Sequence, residues 1–305
     1  MRRNLVDRLS FVCPVCSWSG SEPVPLSLSV DREVAGEVVS GAFRCGNCPR
    51  RYPILDGVAV LDPEPLRSAY DEPDSLQSYL WTHYADLSHE PLDDPPPPAG
   101  DYFARLAEQP LGGLVLDLGS SVGRLAFEVS ARADFVLGVE RSFEAAKRAR
   151  EIGRTRRVAF HLRDEGNRGR YVDFDASRLV RGNVEFVCGD AAALPLAPGV
   201  AGGILAANLV DRLRDPDHFL SRADAVLRPG GRFVLTAPFS WRPDVTETGR
   251  WLGDSVRSAR EALLDWFAEH GYAVEEQAEL DLTIRNHRRF FELLRPLLLR
   301  ARKSV

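Results

Sequence analysis

The stretch LVLDLGSSVGRLAFEVS, residues 114–130, constrains the fold of this chain more than any other segment. Apolar residues lead into Asp117, glycines follow at Gly119 and Gly123, and an amphipathic helical pattern comes next. A strand, a glycine-containing turn and a helix in this order are typical of the nucleotide-binding turn of α/β proteins. Dinucleotide-binding turns carry a further glycine between these two, where this chain has Ser121. The turn therefore predicts a cofactor other than a dinucleotide.

Apolar runs and amphipathic patterns alternate along the rest of the chain. The predicted helices are 101–109, 122–132, 142–152, 215–227 and 255–270. The predicted strands are 113–118, 134–139, 184–188, 201–207 and 231–237. Strands that alternate with helices at this spacing predict an α/β fold with a doubly wound, mostly parallel sheet. Residues 153–183 interrupt the alternation and predict a hairpin insertion.

Acidic residues end the next two predicted strands. Glu140 ends the second strand, about twenty residues after the turn, where a carboxylate can accept from both hydroxyls of a ribose. Asp190 and Ala191 follow the third strand, where an aspartate can accept from the amino group of adenine. A pyrophosphate needs bare backbone in the turn, whereas S-adenosylmethionine carries no phosphate and tolerates Ser121. The pattern therefore predicts S-adenosylmethionine as the cofactor.

Residues 111–237 resemble the class I S-adenosylmethionine-dependent methyltransferases, and the chain is expected to share their Rossmann-like sheet. The alternative of a nicotinamide oxidoreductase would need an intact G-x-G-x-x-G turn and a catalytic Tyr-Lys pair, Cys or His, none of which is convincing here. The resemblance implies a set of cofactor-binding residues. They are Asp117, Gly119, Ser121, Gly123, Glu140, Asp190, Ala191 and Asn208.

Four of the five cysteines form two close pairs near the N-terminus. Cys13 and Cys16 make one C-x2-C knuckle, and Cys45 and Cys48 make a second one 28 residues later. Two such knuckles can direct four thiolates at one tetrahedral ion. Two disulfides or unrelated thiols are the alternatives, and disulfides are disfavoured in a cytoplasmic chain. The spacing predicts one structural Zn²⁺ in a small ribbon.

The stretch RRYPILDGVAVLDPEP after the second knuckle predicts a strand, a turn and a strand. With the cysteines it resembles the zinc ribbons related to the activator subunit of tRNA methyltransferases. Similar ribbons are fused to methyltransferases that act on ribosomal RNA, so the ribbon leaves the substrate open. The predicted domains are a zinc ribbon at 1–65, an aromatic helical segment with a proline-rich linker at 66–100, and a methyltransferase domain at 101–305.

Three further stretches are specific to a narrower group. They are ILAANLVDRLRDPDHFL, TAPFSWRPDVTETGRWLGD and DLTIRNHRRF. Together they resemble the C-terminal methyltransferase domain of the ovothiol synthases, in which a thiolated histidine is methylated on an imidazole nitrogen. The chain departs from that pattern at Phe239, where the family has tyrosine, and at Asn286, where it has glutamate. The resemblance implies a small histidine-derived or azole acceptor and a role in natural product biosynthesis.

An imidazole is largely neutral at pH 7 and needs orientation more than a strong base. Asn208 could hold the second ring nitrogen with help from Ser240, and Arg285 could bind a substrate carboxylate. Flat side chains could form the walls of the acceptor pocket, and a histidine is a further candidate. Each of these residues could instead have a structural role: it could cap a turn, pack in the core or lie on the solvated surface. The catalytic candidates are Asn208, Ser240, Trp241, Tyr84, Arg285 and His287.

The charge of the chain bears on its partners. The net charge is −5, which disfavours a nucleic-acid-binding protein because such proteins present a basic face. The sequence lacks an apolar run long enough for a membrane span, so a cytoplasmic location is expected. Three alternatives remain open: an RNA methyltransferase guided by the ribbon, a small-molecule O-methyltransferase, and a binding protein that has lost activity. The ribbon could also bind a protein partner.

Overall fold

A computed structural model gives the architecture of the chain. The structure describes residues 1–6, 8–18, 22–64, 71–90, 92, 99–108 and 111–305. The run of four prolines in the predicted linker lies outside these residues. No helix in the described part of the chain combines the length and the apolar character that crossing a membrane requires.

The described elements are seven helices, fifteen strands and several short 3₁₀ turns. The helices are α1 (Arg3–Val6), α2 (Pro73–Tyr84), α3 (Ala99–Leu106), α4 (Arg124–Val129), α5 (Phe143–Thr155), α6 (Pro216–Val226) and α7 (Ala259–Glu269). The strands are β1 (Leu26–Val34), β2 (Glu37–Cys45), β3 (Arg51–Leu55), β4 (Val58–Val60), β5 (Leu114–Leu118), β6 (Phe135–Glu140), β7 (Arg157–Glu165), β8 (Arg168–Asp175), β9 (Val184–Cys188), β10 (Ala201–Ala207), β11 (Leu227–Ala237), β12 (Tyr272–Glu279), β13 (Leu282–His287), β14 (Phe290–Leu294) and β15 (Leu297–Lys303).

One sheet of eleven strands organises the molecule, in the order β1-β2-β3-β4-β9-β6-β5-β10-β11-β15-β12. Strands β9, β6, β5, β10 and β11 are parallel neighbours. The prediction of a doubly wound sheet is confirmed, with parallel strands at its centre, and the sheet as a whole is mixed because antiparallel strands flank that centre. Strand β15 enters antiparallel between β11 and β12, and this strand was not predicted from the sequence. The chain order reverses between β5 and β10, which creates a crevice at the carboxyl ends of the strands.

Side chains alternate between the two faces of the sheet, so each parallel strand is buried on both sides. On β5, Val115 contributes to one core cluster, whereas Leu116 and Leu118 contribute to the other. Helices α3, α4 and α5 cover the Val115 face. Helices α6 and α7 cover part of the opposite face. The sheet is therefore the middle of three layers. Its near-continuous apolar strands require such cover on both faces.

The N-terminal segment that carries the paired cysteines covers the rest of the sheet face on which α6 and α7 lie. Residues 189–200, all of which the structure describes, form no helix. Phe11 and Leu61 pack there in the cluster that contains Leu137 and Val187, and the Val12 amide donates to the carbonyl of Pro195 (2.9 Å). Strand β4 pairs in parallel with β9, so the ribbon strands extend the central sheet. The segment predicted as a separate domain at 1–65 thus shares both sheet and core with the rest.

Three elements form a cap beside the sheet: α2, the β7–β8 hairpin and the β13–β14 hairpin. The predicted hairpin insertion is confirmed as β7–β8. Trp81 of α2 packs edge-on against Phe291 at 6.0 Å between ring centroids. The Arg288 amide donates to the carbonyl of Asp164 (3.1 Å), and Arg289 Nε pairs with Glu165 at 2.7 Å. Within the predicted aromatic helical segment and linker at 66–100, the structure describes helix α2 and the turn Ala85–Leu87, and residues 65–70 lie outside the described part.

Candidate active site

The turn after β5 has the conformation that its glycines permit. Gly119 and Gly123 have φ values of +73° and +87°, a region that L side chains rarely adopt. A Cβ on Gly123 would lie 2.7 Å from the ring of Phe186 and 2.9 Å from Ala149. The Gly119 amide donates to the carbonyl of Val139 (2.8 Å), which ties the turn to β6. Gly119 and Gly123 are therefore needed for the shape of this turn.

Ser121 explains how the turn works without the third glycine. Its φ is +48°, so a non-glycine residue adopts the left-handed region here. Its amide donates to Glu140 Oε2 at 2.8 Å. In a dinucleotide-binding turn a backbone amide at this place would face a phosphate. Here that amide binds a carboxylate of the protein, and a second negative group in the same place would be repelled.

Two backbone amides fix the Glu140 carboxylate. Oε2 accepts from Ser121 and Oε1 accepts from the Ser142 amide at 2.7 Å. Burial raises the pKa of Glu140, and these two hydrogen bonds oppose the rise by favouring the charged form. Each carboxylate oxygen has more than one lone pair, so both oxygens can still accept from a ligand. Glu140 is therefore an oriented acceptor at the end of β6.

Asp117 lies one strand over, at the end of β5, and is almost completely buried. Burial raises the pKa of Asp117 to about 7, a backbone hydrogen bond from Ala126 opposes the rise, and the Glu140 charge adds to it. Its Oδ2 and the hydroxyl of Ser120 receive no hydrogen bond from any described residue. Buried polar atoms without partners are costly. These two atoms fit a bound polar ligand at the turn.

Asp190 and Ala191 follow β9 at the same edge of the sheet. Asp190 Oδ1 accepts from the Ala192 amide (2.8 Å), and Oδ2 lies 3.8 Å from the Arg141 guanidinium. Ala191 is buried in the core. Asp117, Glu140 and Asp190 therefore come from three adjacent strands. Their carboxylates and the turn fit S-adenosylmethionine, which offers two ribose hydroxyls and two amino groups as donors.

On the other side of the crevice, Asn208 follows β10 with φ +53°. Its amide donates to the carbonyl of Thr236 on β11 (2.8 Å), and its Oδ1 accepts from the Thr236 hydroxyl (3.2 Å). The Tyr102 hydroxyl of α3 lies 2.7 Å from Thr236 Oγ1. Because Thr236 gives its proton to Asn208, Tyr102 donates to Thr236. This chain of hydrogen bonds fixes the carboxamide of Asn208.

Ser240 follows β11 and is held by a buried acid. Its amide and hydroxyl both donate to Asp211 Oδ2, at 2.9 and 3.2 Å. Arg212 donates to the Ser240 carbonyl at 2.6 Å. The side chain of Asp211 is completely buried. Asp211 and Arg212 therefore fix the segment that begins at Phe239, whose φ is +52°.

The aromatic and charged candidates lie in different places. Trp241 stacks on Trp251, with ring planes 13° apart and centroids 6.1 Å apart. Tyr84 is fully buried and donates to the carbonyl of Val122 in the turn (2.7 Å), a placement that supports the turn and offers no free face to a substrate. Arg285 is 2% exposed in the cap, with its guanidinium 5.8 Å from the Trp81 ring centroid.

His287 lies at the end of β13, and the structure does not bring it to the crevice residues. Its ring is 5.9 Å from that of Phe290, and its Nδ1 accepts from the Arg289 amide. His83 is likewise in the interior, where burial first and Arg124 second lower its pKa to about 3. In the placement seen here, neither ring takes part in the hydrogen bonds around Asn208 and Ser240.

Three buried polar residues that hold Asn208 and Ser240 were not predicted from the sequence: Tyr102, Thr236 and Asp211. Asp211 stands within the AANLVDRL stretch that was singled out, so a buried acid could have been suspected there. Tyr102 lies in an ordinary amphipathic helix, and Thr236 lies within an apolar strand. No local pattern marks either residue, because their role depends on contacts between distant elements.

The four paired cysteines converge near the N-terminus. The Sγ atoms of Cys13 and Cys48 are 4.0 Å apart, those of Cys16 and Cys45 are 3.9 Å apart, and all four lie within 4.8 Å of one another. A tetrahedral zinc site with Zn–S bonds of about 2.3 Å separates its sulfurs by about 3.8 Å. The Tyr52 hydroxyl lies 3.3 Å from Cys13 Sγ. The four sulfur atoms and their spacing fit a site in which four thiolates bind one metal ion.

The central parallel strands, the helices on both faces and the turn after β5 have the Rossmann-like fold of methyltransferases. Residues 116–235 match the family model described as "Methyltransferase domain". The matched segment contains the turn, Glu140, Asp190 and Asn208. The chain is therefore an enzyme that carries a methyltransferase domain. No curated protein matches the chain.

Among solved structures, several methyltransferases are similar in shape. A putative methyltransferase from Bacillus halodurans is 15% identical with a TM-score of 0.45, covering 67% of this chain and 98% of that one. A putative S-adenosylmethionine-dependent methyltransferase from Listeria monocytogenes is 14% identical with a TM-score of 0.46, covering 67% and 97%. A putative RNA methyltransferase from Pyrococcus horikoshii is 15% identical with a TM-score of 0.47, covering 77% and 100%. Proteins this distant carry no information on the acceptor of this chain.

Proposed function

We propose that the protein transfers a methyl group from S-adenosylmethionine to a nitrogen atom of a small azole, with a histidine-derived compound as the substrate class. The observation that carries the proposal is the pairing of two fixed groups across one crevice. Glu140 is an oriented acceptor at the end of β6, and Asn208 is a fixed carboxamide after β10. The Glu140 carboxylate can accept hydrogen bonds from a ribose, and the Asn208 carboxamide can bond to a planar polar ring.

The cofactor supplies an activated methyl group on a sulfonium sulfur. The residues of this chain hold it in place. Glu140 accepts from the ribose hydroxyls, Asp190 accepts from the amino group of adenine, and Asp117 lies beside the turn as an acceptor for the amino group of the methionine part. Ser121 contributes its amide to Glu140 and so favours the charged carboxylate.

The acceptor ring binds beside Asn208 and Ser240. Asn208 Oδ1 accepts one hydrogen bond from Thr236 and keeps a second lone pair, which can accept from the N–H of a neutral azole. The other ring nitrogen then points its lone pair at the methyl group. Holding two reacting atoms at about 3 Å in line supplies much of the acceleration of such a transfer.

A strong base is not required in this scheme. The unperturbed pKa of imidazole is about 6.5, so the ring is already mostly neutral and nucleophilic at pH 7. The buried carboxylate nearest to Ser240 is Asp211, and it already accepts both the amide and the hydroxyl of Ser240. Asp211 therefore shapes the pocket and leaves proton transfer to solvent after the methyl group has moved.

Zn²⁺ is the metal we propose for Cys13, Cys16, Cys45 and Cys48. Four thiolates suit zinc, and the ion would hold the two cysteine pairs together. Because this segment packs on the central sheet, its role is structural. We expect a cytoplasmic location, where cysteines stay reduced and free to bind a metal.

The test of the acceptor uses labelled S-adenosylmethionine and three kinds of acceptor: thiolated histidines, ribosomal RNA and small phenols or alcohols. Transfer to the thiolated histidines with the label on a ring nitrogen supports the proposal. Label that enters only RNA would refute the small-molecule acceptor and favour a ribbon-guided RNA methyltransferase. Label on oxygen alone would make the protein an O-methyltransferase.

A further inference from the structure

The ribbon contributes a residue to the edge of the sheet where the cofactor residues lie. Val60 of β4 pairs with Cys188 of β9 in parallel register, and the Leu61 amide donates to the Cys188 carbonyl (2.7 Å). Two residues beyond this pair, β4 leads into Asp62 and β9 leads into Asp190. Asp62 therefore extends the row of strand-end acids that begins at Asp117.

The Asp62 side chain is buried, and only one of its two carboxylate oxygens accepts a hydrogen bond from a described residue. It is 4% exposed, and its Oδ1 accepts from the Glu64 amide at 2.8 Å. Its Oδ2 receives no hydrogen bond from the described residues and lies 3.4 Å from Arg141 Nε. The other side of the same guanidinium lies 3.8 Å from Asp190. Arg141 thus stands between two carboxylates, one from each segment of the chain.

These three side chains face a cleft of about 150 Å³. Pro63 and Leu213 also line it and offer apolar contact for a flat ring. Burying a carboxylate whose hydrogen bonds are incomplete is costly, and the residue that carries this carboxylate lines the cleft. The cleft therefore combines a guanidinium donor, carboxylate acceptors and apolar walls, which are the parts of a site for a polar aromatic ring.

We propose that Asp62, although it belongs to the ribbon, is part of the subsite for the adenine ring of S-adenosylmethionine. The amino group of adenine is a donor and its neighbouring ring nitrogen is an acceptor. Asp62 accepts from the amino group together with Asp190, and Arg141 donates to the ring nitrogen. A 6-oxo purine places an acceptor where the carboxylates need a donor, so the subsite selects against it.

This inference rests on the proposed cofactor, and the experiment separates the two. Binding of S-adenosylhomocysteine and of its 6-oxo counterpart, S-inosylhomocysteine, is measured by calorimetry on the full chain. The variants are Asp62→Asn and, as a control, Glu64→Gln, which removes a charge at the same cleft from an exposed position. Circular dichroism and zinc content check that each variant is folded.

The wild-type protein should prefer the adenosyl ligand. Asp62→Asn should lose roughly tenfold in affinity for it, the scale of one charged hydrogen bond, with the affinity for the inosyl ligand nearly unchanged. Glu64→Gln should bind both like the wild type. If Asp62→Asn weakened both ligands equally, or neither, the assignment of Asp62 would be wrong. A wild-type protein that bound neither ligand would instead refute the proposed cofactor.

A measurement without substitution covers the case in which Asp62→Asn does not fold. A 2-azido derivative of S-adenosylhomocysteine is photolysed on the wild-type protein, and the tryptic peptides are analysed by mass spectrometry. The peptide of residues 52–67, which contains Asp62, should carry label that excess S-adenosylhomocysteine removes. Label confined to the peptides that contain Glu140 and Asp190 would overturn the proposal.

Discussion

At the scale of one residue, the burial of Asp117 lowers the stability of the protein at neutral pH. Its carboxyl group is buried at the end of β5, and this raises its pKa to about 7 from 3.8. The folded protein therefore binds a proton that the unfolded chain releases at lower pH. Stability falls as the pH rises from about 4 to 7, because the unfolded chain ionises freely and the folded one does not. A positively charged ligand beside Asp117 would stabilise the ionised carboxylate and so oppose this loss of stability.

Asp117→Asn should remove that pH dependence in the absence of ligand. The amide has the same shape and no charge, so the variant should be more stable than the wild type by about 1–3 kcal/mol at pH 8. The difference should shrink towards pH 5. Urea unfolding of both proteins at the two pH values measures it. An Asn variant that is less stable than the wild type at pH 8 would contradict the raised pKa.

Tyr102 should act on the acceptor side through Thr236 and Asn208. Tyr102→Phe removes the donor to Thr236, so the Asn208 carboxamide is held less firmly. We expect kcat to fall by about three- to tenfold, the equivalent of about 1 kcal/mol, with unchanged affinity for S-adenosylhomocysteine. Tyr272→Phe is the control, because that hydroxyl bonds to Asp224 instead. Equal losses in the two variants would mean that Tyr102 only supports the fold.

At the scale of elements, helix α2 is a support for the cofactor turn. Tyr84 reaches from its last turn to the Val122 carbonyl, and Arg124 at the start of α4 pairs with Asp86 at 2.6 Å. Tyr84 was also predicted to form a wall of the acceptor pocket. In the structure it is buried and bonded to the turn. The helix is therefore expected to influence the cofactor more than the acceptor.

Tyr84→Phe tests this difference. The Val122 carbonyl loses its donor, so the free energy of unfolding should fall by about 1–2 kcal/mol. Affinity for S-adenosylhomocysteine should weaken by a few-fold while the KM of the acceptor stays constant. Chemical unfolding and steady-state kinetics give these quantities. A raised acceptor KM with unchanged cofactor affinity would restore Tyr84 to the acceptor pocket.

The elements differ in how far the sequence could predict them. The strands of the parallel sheet were predicted because they are apolar runs buried on both faces. The β1–β2 hairpin was missed because its turn places Ala35, an ordinary residue, at φ +51°. Strand β15 was missed because its pattern is broken by the buried Arg300, which pairs with Glu276 of the neighbouring strand. The strand-end acids followed from chain order, whereas Asp62 required the pairing of β4 with β9.

At the scale of the whole molecule, the ribbon and the methyltransferase domain share one sheet and one core, so we expect them to unfold together. The sheet is continuous through β4 and β9, and residues of the ribbon pack in the same cluster as those of β5 and β6. A metal ion that holds the ribbon would therefore stabilise the entire sheet, because binding to the folded state alone shifts the equilibrium towards it.

Removal of the metal should consequently lower the melting temperature of the whole chain. Elemental analysis should find one zinc per four-cysteine cluster. Calorimetric scans with and without a strong chelator should each show a single transition, shifted down by roughly 10 °C or more in the chelated protein. Cys188→Ser, a cysteine outside the cluster, should keep its zinc. A small separate transition beside an unshifted main one would show that the ribbon folds independently.

The central claim is that S-adenosylmethionine binds at the turn between β5 and α4, with Glu140 as the acceptor for its ribose. Calorimetric titration with S-adenosylhomocysteine tests it most directly. The wild type should bind, and Glu140→Ala should bind at least about tenfold more weakly, since hydrogen bonds to a charged acceptor are lost. Glu144→Ala, an exposed acid on α5, should bind like the wild type. Full affinity in Glu140→Ala, or no binding by the wild type, would contradict the account.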